Sequence, residues 1–175
     1  MPCRLATKLR FTLSSARRLH RRFLLLAAVV LSMVHPISHG DAAMAPIRFD
    51  ELVASSDLIL IGNVGNIQGY WADDVIRSKV EIIISQVVAG DTQGARTIEV
   101  DIIGGVVGNV GLSSSNQPLP ESGEEVLLFL RAETIAGVYR VNGLAQGYVG
   151  IVDGQIPRFG LAVEALVDRI KQQKQ

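Results

Sequence analysis

The side chains best suited to nucleophilic and metal chemistry all sit near one end of this chain. His20, His35 and His39 are its only histidines and Cys3 its only cysteine. A serine or cysteine nucleophile needs a base that titrates near neutrality, usually histidine. Zinc, copper and non-haem iron sites lean on the same two residue types as ligands. If the first forty residues are removed, the rest of the chain holds neither type. No catalytic residue, metal ion or cofactor is expected there.

What remains is carboxylates, glycines and one tryptophan. Asp73-Asp74 could contribute to a calcium site, but the spaced ligands of a calcium-binding loop are missing and solvated loop charges are the plainer reading. A carboxylate pair could hydrolyse a glycosidic bond. Nothing in the spacing singles one out, and Glu124-Glu125 reads as the entry to a buried strand. The stretches "GNVGNIQG" (62–69) and "GGVVGNVG" (104–111) depart from the dinucleotide fingerprint, and neither leads into a helix or a phosphate-loop lysine. Close turns and strand bends explain such glycines. Tyr70-Trp71 stands out, because the one tryptophan lies beside a second aromatic in a polar stretch. Aromatic rings with polar tips are enriched at binding hot spots. The alternative is that Trp71 folds back to plug the end of the fold, hiding a ring that is costly to leave exposed.

The histidines belong to "HRRFLLLAAVVLSMVHPISHG", His20 to Gly40, and from Met1 to Arg22 the chain carries seven basic residues and no acidic one. A basic start, an apolar run and small residues make up a secretory signal. The apolar run falls short of the roughly 20 residues of a membrane helix. Residues 1–40 are therefore expected to be a signal peptide, with cleavage between 40 and 46, after Gly40, Ala42 or Ala45. Residues 46–175 then form a single domain, with periplasmic or extracellular location. An uncleaved anchor is the other outcome. Beyond Arg22 the chain has ten basic and seventeen acidic residues, a formal charge of −7. That charge opposes phosphate backbones and anionic lipid, so neither nucleic acid nor, once the signal is cleaved, a membrane is an expected partner. An exported chain without a cysteine pair must rely on packing alone.

These residues have to be positioned by a mainly β domain. "IRFDELVASSD" places Phe49, Leu52 and Val53 on one face of a short helix. "DLILIGNV" reads as a buried strand, and "GNIQGYWADD" as a loop. "IRSKVEIIISQVVAGD" alternates, with Val80, Ile82, Ile84 and Val88 inward, and is long enough to bend around a barrel. "RTIEVDIIGG" repeats the pattern through Ile98, Val100 and Ile102. Residues 104–122, crowded with Gly, Ser and Pro, read as the largest loop. "EEVLLFLRAE" reads as a strand buried on both sides, and Asp153-Gly154 as a two-residue hairpin turn. "LAVEALVDRIKQQKQ" brings Val163, Leu166, Val167 and Ile170 to one helical face. Strands with no helices between them favour a small antiparallel β-barrel with a short N-terminal helix and a C-terminal helix.

The order "FDELVASSDLILIGNV", "VEIIISQVVAG", "IEVDIIGG", "SGEEVLLFL" resembles the netrin-like module, the OB-type barrel of tissue inhibitors of metalloproteinases, and small exported bacterial domains of that kind. The resemblance covers roughly Phe49 to Asp153. It implies an OB-like barrel that binds proteins through loops at one end. The inhibitors chelate the protease zinc through an N-terminal cysteine, and no cysteine follows Cys3 here, so that mechanism does not carry over. The expected function is an exported, non-catalytic binding or accessory module for another exported protein, with proteases among the candidates. Loops 65–75 and 104–122 are the candidate surface, with Tyr70, Trp71, Asp73 and Asp74 as contacts. The alternatives are an envelope structural protein and a carboxylate-dependent hydrolase.

Overall fold

A computed structural model describes residues 45–135 and 137–175; the signal expected over residues 1–40, with the histidines and Cys3, lies outside them. The long alternating stretch is one strand, β2 (Val75–Ala89), and it runs antiparallel to an equally long β1 (Leu58–Ala72). β1 therefore continues through the residues expected to be a loop, and only Asp73 and Asp74 separate the two strands. The glycines that read as breakers are bends within the strand. Register shifts fall at Ile59/Leu60, Ile61/Gly62 and Val64/Ile67, and such bulges bend and twist a strand. At Gly62 a Cβ would lie 2.7 Å from both Ile82 Cγ2 and Ile83 O, so the close approach there needs glycine.

β3 (Thr97–Ile103) lies beside β2. Residues 104–122, expected as one loop, carry a small hairpin of β4 (Gly105–Val107) and β5 (Val110–Leu112). β6 (Glu125–Ala132) pairs with β1, and β7 (Val138–Val141) bridges β6 to β3. The order β1-β2-β3-β7-β6 thus returns to β1 and makes a partly closed ring. Every joint is antiparallel except β3–β7, which is parallel. β8 (Tyr148–Ile151) extends along the remaining edge of β6. Asp153 and Gly154, both at positive φ, turn the chain between Val152 and Gln155 before β9 (Gln155–Ile156) meets β10 (Leu161–Ala162). With α1 (Phe49–Ala54) before the sheet and α2 (Val163–Lys174) after it, the domain is a small OB-like β-barrel flanked by two helices.

Two apolar layers explain the runs in the sequence. Leu58, Leu60, Val80, Ile82, Val100 and Leu128 belong to the layer inside the ring. Ile59, Ile61, Leu127 and Phe129 face the other way and pack under Leu52 and Val53 of α1 and Leu166, Val167 and Ile170 of α2. β6 is apolar at every position from Val126 to Leu130 because both its faces are covered. Each fully buried aliphatic side chain contributes about 1.5–3 kcal/mol. Asn142 ties α1 to this layer, donating from Nδ2 to Ser55 Oγ and Ser56 Oγ, each at 2.9 Å. The apolar helix faces meet β1, β6, β8 and the end of β2 at Val88 and Ala89, while the outward residues of β3 and of β2 nearer the hairpin turn are mostly polar. That polar face and the far end of the β1–β2 hairpin are where the candidate residues sit.

Candidate functional site

Adjacent residues on a strand point to opposite faces, and this separates the two aromatics. Tyr70 lies on the outer face, where its cross-strand neighbour is Arg77. Arg77 holds Asp101 of β3 through Nε at 2.9 and 3.0 Å and through one terminal nitrogen at 2.7 Å. Tyr70 donates its hydroxyl to the same carboxylate at 3.1 Å. Lys79 pairs with Glu99 at 2.9 Å, and its ammonium lies 5.7 Å from the centre of the Tyr70 ring. Desolvation, then the Asp101 carboxylate, raises the pKa of Tyr70; the hydrogen bond to Asp101 raises that of Arg77. The Glu99 contact does the same for Lys79. A shallow polar groove of about 350 Å³ lies alongside, lined by Asn66, Gln68, Lys79, Glu81, Thr97 and Glu99. The Arg77–Asp101 pair is only 15% and 13% exposed and locks β1, β2 and β3 together just behind the hairpin tip.

Trp71 occupies the opposite face, paired with Ile76. Here β4 crosses the hairpin at backbone distance. A Cβ on Gly69 would lie 2.1 Å from Val106 O, and one on Gly105 would lie 2.0 Å from Ser78 Oγ. Ser78 Oγ donates to Gly104 O at 2.7 Å, and Gly104 N donates to Ile76 O at 2.8 Å. Small residues at 69, 78 and 105 thus let the β4–β5 hairpin lie across the tip. Ile76, 2% exposed, fills this end of the fold. Trp71 is not the plug: it remains 51% exposed. Val106 is 66%, Val110 51% and Leu112 36% exposed. Asp73 and Asp74 form the exposed two-residue turn, with Asp73 in the left-handed region at φ 51°, a conformation aspartate tolerates better than most residues.

Of the four residues singled out from sequence, three fall at one end: Trp71, Asp73 and Asp74 share the hairpin tip, while Tyr70 turns to the other face. Val106, Val110 and Leu112 were not among them. Their signal was present, since Val107-Gly108-Asn109-Val110 is a two-residue hairpin sequence flanked by apolar residues. Arg77 and Asp101 had no signal, because only the strand register brings them together. Elsewhere, Glu124 leads into β6 and accepts the Tyr148 hydroxyl at 2.7 Å. Burial, and then that carboxylate, pushes the Tyr148 pKa far above its ordinary value. Among the described residues no group of three or more His, Cys, Asp or Glu is placed to hold a metal ion, and no helix is long and apolar enough to cross a membrane. No protein-family model matches the chain, and no curated protein matches it.

Proposed function

We propose that this chain is an exported, non-catalytic binding module that engages another exported protein through the end of the β1–β2 hairpin. The observation that supports it most is Trp71, half exposed on a strand rather than a loose loop, with Val110 and Leu112 exposed on one face of the hairpin laid across the same tip. A soluble domain gains nothing for its own stability by leaving such a cluster in water, whereas a rigid aromatic anchor among apolar neighbours is what interface hot spots consist of. The Arg77–Asp101 pair supports the reading by fixing the strand that carries the ring. Proteases are among the partners this module would suit.

The test is crosslinking capture from the exported protein fraction of its own cell, with captured proteins identified by mass and rebound in purified form. One partner held by the unmodified protein and by Tyr70→Phe, but lost by Trp71→Ala, is the expected result. Equal recovery by Trp71→Ala removes the hairpin tip from the interface. If nothing is enriched over an unrelated domain, a structural role in the envelope replaces the binding role.

A further inference from the structure

Residues 63–76 and 104–122, which build the tip and the hairpin across it, contain no lysine or arginine. Asp73 and Asp74 are exposed, and among the described residues neither has a basic group within 4.0 Å. The nearest cations along β2, Arg77 and Lys79, lie on the outer face and are committed to Asp101 and Glu99. The only charged residues in these two segments, Asp73, Asp74 and Glu121, are therefore negative, and two of them adjoin the exposed Trp71.

From this we infer that the tip selects a protein segment presenting a lysine or arginine next to apolar side chains. The inference rests on the binding role proposed above and adds the chemistry of the partner. The apolar side chains would cover Trp71 and Val110, which shares with Val107 the ribbon face turned to the hairpin, and the cation would meet Asp73 and Asp74. Such rim pairing sets selectivity and association rate more than affinity. A second copy of this chain is a poor occupant. Two-fold pairing brings the same patch of both subunits together, so four aspartates would face one another. Anionic lipid is repelled by the same charges.

Trp71 is the only tryptophan in the chain, so its emission reports this surface and no other. The full protein is titrated with a short lysine–leucine peptide and with its glutamate–leucine counterpart, at low and high salt, and sedimentation is recorded alongside. The lysine peptide should shift Trp71 emission to the blue, less so in high salt, and the glutamate peptide should bind far more weakly. The double substitution Asp73→Asn with Asp74→Asn keeps the turn and the ring, and should weaken the lysine peptide roughly three- to tenfold. Equal binding of both peptides, or an unchanged preference in that double variant, overturns the charge selection and leaves the apolar platform standing. A blue-shifted dimer that neither peptide disturbs shows a second copy on the surface and overturns the inference. Silence from both peptides with a monomeric protein also overturns it, and the Trp71→Ala capture then decides separately whether the platform is an interface.

Discussion

Gly69→Ala is the sharpest probe of how the hairpin tip is built. The added Cβ would sit 2.1 Å from Val106 O, 2.9 Å from Val106 C and 3.2 Å from Val107 Cγ2, where ordinary contact begins at 3.4 Å. The obstacle is backbone, so no side-chain rotation relieves it, and β4 must move by roughly 1 Å, an overpacking that typically costs about 1–3 kcal/mol. The same movement strains the Ser78 Oγ to Gly104 O and Gly104 N to Ile76 O hydrogen bonds and begins to uncover Ile76. Replacing a glycine also restricts the unfolded chain, an opposing gain of about 0.4–1 kcal/mol where the new residue fits without strain. The net expectation is a loss of about 0.5–2.5 kcal/mol, seen as a Tm lower by roughly 3–6 °C per kcal/mol for a domain of this size. Trp71 emission should change with it, because the neighbouring hairpin has shifted. Gly111→Ala is the control: it lies in β5 with nothing nearer than 3.8 Å, so it should leave the emission unchanged and raise rather than lower the Tm. If Gly69→Ala melts like the unmodified protein with identical emission, β4 does not cross the hairpin at backbone distance and the account of the platform is wrong.

Tyr148 gives a pH signature. Its pKa in the folded state lies above the ordinary 10.0, so the folded protein keeps a proton that the unfolded chain releases. Stability is then fully present below about pH 10 and falls as pH rises further, and urea melts across that range should show Tyr148→Phe flattening the fall. An equally steep fall in Tyr148→Phe would show that another group carries it. Asn142→Ala removes the donor shared by Ser55, Ser56 and the Leu52 carbonyl, and should lower stability by about 1–3 kcal/mol through loosening of α1. An unaltered urea midpoint would mean that α1 is held by its apolar face alone.

The barrel was legible wherever burial sets a two-residue period or removes it. Val80, Ile82, Ile98, Val100 and Ile102 fall inward as their alternation indicates. The unbroken run in β6 correctly signals cover on both faces. The hairpin tip was less legible because its glycines carry two meanings. Gly62 and Gly69 look like breakers in a linear reading, yet one permits a bend in β1 and the other lets a distant hairpin cross it. Tyr70 and Trp71 were read as one feature, and only placing them on a strand sends them to opposite faces. The Arg77–Asp101 pair depends on the β2–β3 register, which sets Arg77 opposite Ile103 and brings Asp101 within reach as its diagonal neighbour.

The ring also imposes an order of assembly. β1 meets β2 across a two-residue turn, a local event on the scale of about 1–10 μs for a hairpin. Its other edge waits for β6, with Leu58 opposite Leu130 and Asn63 opposite Glu125. Contacts between such distant parts of the sequence must overcome a large loop-closure entropy, which places barrels of this kind among slow folders. Until β6 docks, Ile59 and Ile61 border an unpaired edge, the feature through which partly folded chains stick to one another. Closure of β6 onto β1 is therefore the step expected to protect this chain from aggregation, and the Asp73-Asp74 turn is the expected starting point of folding.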